Sequence, residues 1–168
     1  SCIDCGKGFY CMGPQRTACP SGRYANVSTA ISSAPCELCD AGYICPSGGT
    51  PYACSAGKYG DSAGQDNENG CKECPLGWYC LGGKSKVQCP SGKYGAYPGL
   101  QSKNECNTCA EGHYCPSPNC DLSMQACPAG RYSLLPAMSS VDNCTFCEAG
   151  YYCSGGSERK SCPSGKYG

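Results

Sequence analysis

Large apolar side chains are scarce in this chain. Its 168 residues include two phenylalanines, one tryptophan and three methionines. No apolar run approaches the roughly 18 residues of a membrane span, so we expect no direct membrane insertion by this segment. A conventional hydrophobic core is also not expected, and another kind of interaction must stabilise the fold.

The chain also has no net charge. Thirteen Lys and Arg residues balance 13 Asp and Glu residues. The charges are scattered, which removes the basic stripe that nucleic-acid binding needs. With one histidine in the chain, no set of nucleophile, base and metal ligand can be assembled. We therefore expect no enzyme activity, no cofactor and no nucleic-acid partner.

Cysteine is the residue that the chain has in excess, with 21 copies. Twenty of them form five rounds of four, which begin at residues 2, 36, 71, 106 and 144. A period of this length predicts stacked modules, and we expect an elongated rod of five tandem modules. Cysteines at this density persist as disulfides only in an oxidising compartment, so an extracellular location, secreted or cell-surface, is expected.

The predicted repeats follow the cysteine rounds. They cover residues 1–33, 34–69, 70–104, 105–142 and 143–168, with an insertion at 117–122 in the fourth and a truncated fifth. The chain opens and stops partway through its own repeat, from which we expect an internal piece of a longer precursor. Cys120, inside the insertion, is the odd cysteine; it is free, bridges to another chain, or pairs with a local partner.

Gly, Pro, Ser and Asn interrupt the chain every ten or so residues, which predicts a small disulfide-rich fold of short β-ribbons and turns with almost no helix.

Two short motifs recur along the cysteine rounds. The motif Cys-Pro-x-Gly-(Lys/Arg)-Tyr predicts a tight turn with a positive φ at glycine, followed by a strand. Ser55 replaces the proline in the second round, so glycine is the constant requirement. Mostly aromatic residues stand before the third cysteine of each round, and they are expected to cover the disulfides. These third cysteines are Cys11, Cys45, Cys80, Cys115 and Cys153.

The order of these motifs resembles a known family. Cys-x-x-Cys-x-x-Gly-x-Tyr-Cys followed by Cys-Pro-x-Gly-x-Tyr is similar to the ephrin-receptor-like cysteine-rich repeat, and more loosely to tumour necrosis factor receptor modules. The resemblance covers essentially the whole chain. Such repeats occur in receptors and in large protist and algal surface or secreted proteins.

The resemblance also implies a disulfide pairing, since four cysteines alone permit three connectivities. The implied long bridges are Cys19–Cys36, Cys54–Cys71, Cys89–Cys106 and Cys127–Cys144. The implied short bridges are Cys5–Cys11, Cys39–Cys45, Cys74–Cys80, Cys109–Cys115 and Cys147–Cys153. Cys2 and Cys162 would then pair with repeats beyond the segment.

The cysteine spacing argues against a metal site and against a thiol redox site. Successive Cys-x-x-Cys pairs lie some 30 residues apart with one histidine in the chain, whereas zinc sites need ligands close together and thiol redox sites need a strand-to-helix context. His113 occupies an aromatic position of the repeat and is interpreted as a ring packed on a disulfide. The stretch 61–69 lacks calcium-loop spacing and is interpreted as a solvated loop.

Two Asn-x-Ser/Thr sequons predict N-linked glycans at Asn26 and Asn143. The expected function is a structural repeat segment of an extracellular filament, surface coat or cell-surface hair. Its partners would be copies of itself or neighbouring repeats of a longer chain. The alternative is a ligand-binding or adhesive ectodomain of a cell-surface receptor, with recognition at 117–122.

Overall fold

The computed structural model describes residues 4–28, 31–32, 35–116 and 124–166. Cys2, Cys120 and the insertion at 117–122 lie outside these residues. Regular structure in the described ranges consists of eighteen short strands and three 3-10 turns, without an α-helix. The prediction of a small disulfide-rich β fold is confirmed.

Consecutive strands pair into nine antiparallel sheets of two strands each, and two kinds of hairpin alternate along the chain. The aromatic hairpins are β1 Phe9–Met12 with β2 Gln15–Ala18, β5 Tyr43–Ile44 with β6 Tyr52–Ala53, β9 Trp78–Tyr79 with β10 Val87–Gln88, β13 His113–Tyr114 with β14 Gln125–Ala126, and β17 Tyr151–Tyr152 with β18 Lys160–Ser161. The long-loop hairpins are β3 Arg23–Tyr24 with β4 Glu37–Leu38, β7 Lys58–Tyr59 with β8 Lys72–Glu73, β11 Lys93–Tyr94 with β12 Asn107–Thr108, and β15 Arg131–Tyr132 with β16 Thr145–Phe146.

The strands form where the recurring motifs predict them. The Lys/Arg-Tyr pair of each of the first four rounds is a strand, and so is each aromatic pair before a third cysteine. Tyrosine and other aromatic residues favour extended backbone, while the flanking glycines end each strand after a few residues. Isolated hairpins of this length are not stable in water, so their stability must come from the cross-links.

Three 3-10 turns, which were not predicted, each precede the first cysteine of a round. They span Glu68–Gly70, Lys103–Glu105 and Val141–Asn143. The Asn67 side chain accepts a hydrogen bond from the N–H of Asn69, and Ser140 forms a capping box with Asn143. Small polar caps of this kind satisfy the first N–H groups of a turn and are its local sequence signal.

The buried residues of the described chain are mostly cysteines. Cys19, Cys74, Cys80, Cys109 and Cys115 have no measurable exposure. Besides glycines, the other buried residues are Ala25, Ile44, Leu100, Tyr132 and Ser133. Several large apolar side chains, such as those of Leu135 and Phe146, are exposed. Disulfides therefore occupy the interior that apolar side chains fill in larger domains.

The chain divides into two compact units. The first contains residues 1–74 and 80–86, and the second contains residues 75–79 and 87–168. The third aromatic hairpin, β9 with β10, belongs to the second unit, while the Cys74–Cys80 bridge belongs to the first. The division runs through the predicted third repeat, so the partition into five repeats stays a prediction.

Candidate functional site

Nine disulfides connect the described cysteines, and they are of two kinds. Four long bridges join residues 17 apart in sequence, namely Cys19–Cys36, Cys54–Cys71, Cys89–Cys106 and Cys127–Cys144. Five short bridges join residues six apart, namely Cys5–Cys11, Cys39–Cys45, Cys74–Cys80, Cys109–Cys115 and Cys147–Cys153. These are the same nine pairs that the resemblance implies. Each long bridge joins one predicted repeat to the next.

Side chains from the aromatic hairpins cover three of the four long bridges. Tyr10 packs against the Cys19–Cys36 bridge, and Tyr79 packs against the Cys89–Cys106 bridge. Ile44 occupies the same position of the second round and packs on Cys54–Cys71. The short bridge Cys109–Cys115 is covered by Tyr94 and Met124. The expected covering of disulfides by these positions is therefore found, and an aliphatic side chain can replace the ring.

Each Cys-Pro-x-Gly motif forms a turn that depends on its glycine. In the first round, the carbonyl of Pro20 accepts a hydrogen bond of 3.0 Å from the N–H of Arg23, and Gly22 has a φ of 75°. The second round keeps this geometry with serine in place of proline, since Ser55 accepts from Lys58 at 3.0 Å. A positive φ is strained for other residues. The expectation that glycine is the constant requirement is confirmed.

The same turn glycine connects one predicted repeat to the next through main-chain hydrogen bonds. The N–H of Gly22 donates to the carbonyl of Cys45 at 2.9 Å, and its carbonyl accepts from the N–H of Cys39 at 2.9 Å. The equivalent bonds recur in the later rounds, where the donors to third-cysteine carbonyls are Gly57 to Cys80, Gly92 to Cys115 and Gly130 to Cys153. Main-chain contacts thus accompany every long bridge.

Glycine also allows the backbones of successive cysteine rounds to touch. A Cβ atom placed on Gly42 would lie 2.6 Å from the Cα of Lys84, and one on Gly112 would lie 2.5 Å from the carbonyl carbon of Gly156. Real Cβ atoms do not approach other atoms so closely. A Cβ on Gly150, at the matching position of the fifth round, would meet no atom of the described residues within 4 Å.

Gly-Gly doublets supply the opposing surface of these contacts. Their role was not predicted from the sequence. The N–H of Gly83 donates to the Cys54 carbonyl at 3.0 Å, and the N–H of Gly156 donates to the Cys127 carbonyl at 3.0 Å. A doublet follows the third cysteine in three rounds, at 48–49, 82–83 and 155–156. This recurrence was a usable signal, because glycine pairs that recur shortly after the third cysteine indicate close backbone approach.

Charged side chains add surface contacts, some within a predicted repeat and some between neighbouring ones. Arg159 contacts Glu148 with an Nη1 to Oε2 distance of 2.6 Å. The same guanidinium donates to the Tyr132 hydroxyl at 3.3 Å and lies 4.8 Å from the centre of the Tyr151 ring. The neighbouring Glu148 carboxylate raises the pKa of Arg159 above its ordinary value. Lys86, six residues after a third cysteine as Arg159 is, lies 5.3 Å from the centre of the Tyr59 ring.

One exposed ion pair ties the loop after β7 to β8. The Nζ of Lys72 lies 2.7 Å from the Oδ2 of Asp61. Hydrogen bonds from Lys72 and Ser62 hold the pKa of Asp61 below its ordinary value of 3.8. The stretch 61–69, predicted to be a solvated loop, therefore contributes a local ion pair.

The remaining predicted residues lie in ordinary surface surroundings. Asn26 and Asn143 are both exposed, and the Oδ1 of Asn143 accepts from the N–H of Ser140 at 3.0 Å. Cys162 is half-buried and is the free cysteine among the described residues, while Cys2 and Cys120 lie outside them. His113 is half-buried in β13, with its Nδ1 3.0 Å from the Glu111 carbonyl oxygen.

Neither a metal cluster nor a membrane-spanning helix is present in the described part of the chain. Within it, no three His, Cys, Asp or Glu side chains are grouped to hold a metal ion. No helix in these ranges is long and apolar enough to cross a bilayer.

Comparison with known proteins gives no family. No protein-family model matches the chain, and no curated protein matches it. The dense disulfide bonding fits an extracellular or secreted protein, because such bonds persist in oxidising environments.

Proposed function

We propose that the chain is a structural repeat segment of an extracellular filament, surface coat or cell-surface hair. The observation that supports this most is the recurrence of one contact set, in which turn glycines such as Gly22 and Gly92 bond to the third cysteine of the next round. A recognition surface needs one repeat to differ from the others, whereas a spacer needs each repeat to bind the next in the same way.

The long bridges give such a segment its stability. Each one closes a loop of 17 residues, which in chain-entropy theory contributes about 3 kcal/mol. Four bridges together contribute about 12 kcal/mol, which is comparable to the whole stability of a small domain. Since the cross-links lie between repeats, a single proteolytic cut within a closed loop leaves the two sides covalently joined.

The proposal extends to shape and partners. Nearest-neighbour contacts that repeat along a chain produce a quasi-one-dimensional array, so we expect an elongated rod whose ends and sides meet further repeats or further copies. N-linked glycans at Asn26 and Asn143 would coat this rod and keep its thin modules soluble.

Electron microscopy of the native, non-reduced protein tests the proposal. Long fibres with a regular axial repeat are the expected result. Isolated short particles that remain monomeric at high concentration would contradict it and favour the receptor or adhesive ectodomain instead. A reduced sample serves as the control, because any fibres that depend on the bridges must disappear from it.

A further inference from the structure

A groove of about 470 Å³ lies in the first unit beside the long-loop hairpin of β3 and β4. Tyr24 and Leu38 of this hairpin and Tyr43 of β5 line it. The Cys39–Cys45 bridge, which is buried, contributes to its lining. The volume falls within the roughly 300–1,000 Å³ of small-molecule sites.

The groove is lined by apolar surface that water reaches. Val27, Leu38 and Tyr43 are 51%, 58% and 46% exposed. The carboxylate residues Glu37 and Asp40 lie in the same lining. An aromatic and aliphatic lining that also contains hydrogen-bond acceptors suits a ligand that is apolar on one face and carries hydroxyl groups around its rim.

Asn26 also lines this groove, and it begins the sequon Asn26-Val27-Ser28. Its backbone is held on both sides. The preceding carbonyl, of Ala25, accepts from the N–H of Gly8 at 2.8 Å, and the carbonyl of Ser28 accepts from the N–H of Cys5 at 2.7 Å. A group attached to the Asn26 side chain therefore starts at the groove.

The next round carries an ion pair at the equivalent place. Thirty-five residues further along, Asp61 stands at the position of Asn26 and Lys72 at the position of Glu37. These two form the ion pair of 2.7 Å. Asn26 and Glu37 cannot form such a pair, since the amide carries no charge, and the groove beside them stays open.

We propose that an N-linked glycan on Asn26 folds back into this groove. The apolar C–H face of its first N-acetylglucosamine packs on Tyr43 and Leu38, and its hydroxyl groups donate to Glu37 or Asp40. Covalent attachment supplies an effective concentration in the millimolar range, which a free saccharide or peptide would not have. The inference rests on the extracellular location within the proposed function.

The test uses the chain exported by a eukaryotic cell, with its glycans trimmed enzymatically to the first N-acetylglucosamine. We expect nuclear Overhauser contacts between the acetyl methyl group at Asn26 and the Tyr43 ring. We also expect a Tm at least about 2 °C above that of Ser28→Ala, which lacks the glycan but keeps Asn26. When Tyr43→Ser is added to both proteins, the contact and the Tm difference between them should be lost. Leu38→Ser, added in the same way, should reduce both.

The second sequon provides the matched control. Thr145→Ala removes modification at Asn143, which does not line the groove, and should leave the Tm unchanged. An unmodified Asn26 in the exported protein, or a glycan without ring contacts and without a Tm difference, would overturn the inference. Such a result leaves the filament proposal standing, since fibre formation by Ser28→Ala would still be observed; loss of fibres from every variant would instead count against the proposed function.

Discussion

At the residue scale, glycine contributes to this structure in two ways. The first is conformational, because turn positions such as Gly112 and Gly150 have φ values of 72° and 84°. The second is spatial, because Gly112 touches the backbone of the following round while Gly150 faces open space. The two glycines occupy the same motif position, so substitution separates the two contributions.

Gly150→Ala is expected to cost about 1–2 kcal/mol, the strain of a left-handed alanine. Gly112→Ala carries the same strain and must also displace Gly156 and Ser157, which adds about 1–3 kcal/mol. Thermal unfolding of the two oxidised variants measures the difference. Equal destabilisation would show that close backbone approach contributes nothing to repeat stacking.

Asp61 gives a prediction about pH. Since its pKa is lowered in the folded protein below the ordinary value of 3.8, its contribution is fully present above that value and is lost as the pH falls through the lowered pKa. Asp61→Asn should therefore lower the Tm slightly at pH 7, and the difference should shrink as the pH is lowered below 3.8. High salt should shrink the difference at pH 7, because the pair is exposed. A Tm difference that persists unchanged at pH 2 would rule out this ion pair as its source.

At the element scale, the two kinds of disulfide are expected to differ in their contribution. Removing the long bridge with Cys89→Ala and Cys106→Ala should cost about 3 kcal/mol, and removing the short bridge with Cys74→Ala and Cys80→Ala should cost about 2 kcal/mol. The difference follows from the longer loop, with a separation of 17 residues against six. Denaturant unfolding of both double variants checks the order. A larger loss from the short bridge would mean that packing, and not chain entropy, sets the contribution.

Much of the element structure could be predicted from the sequence, because its causes are local. Glycine at a fixed place in Cys-Pro-x-Gly dictates a turn, and the aromatic pair that precedes each third cysteine dictates a strand. The disulfide pairing could not be derived this way, since spacing alone leaves three connectivities open. It was implied by the resemblance to the ephrin-receptor-like cysteine-rich repeat. The Gly42 to Lys84 approach and the Arg159 to Tyr132 contact were missed because they join residues far apart in sequence.

At the scale of the whole molecule, stability should depend on the oxidised state. Apolar burial in the described residues is confined largely to the cysteines themselves, so little remains to hold the chain once the bridges are reduced. Reduction should therefore unfold the chain completely. Circular dichroism in the near ultraviolet measures this, with a reduced but still structured chain as the contradicting result.

The measurement that tests the account most directly is small-angle X-ray scattering from the oxidised chain in solution. A compact globule of 168 residues would have a radius of gyration of about 15 Å, and an unfolded chain one of about 43 Å. If the repeats are linked end to end, the radius of gyration should exceed about 20 Å and the scattering should be rod-like. In longer chains, each added repeat should raise the radius of gyration further. A value near 15 Å without rod-like scattering would contradict the claim that these repeats form an extended structural array.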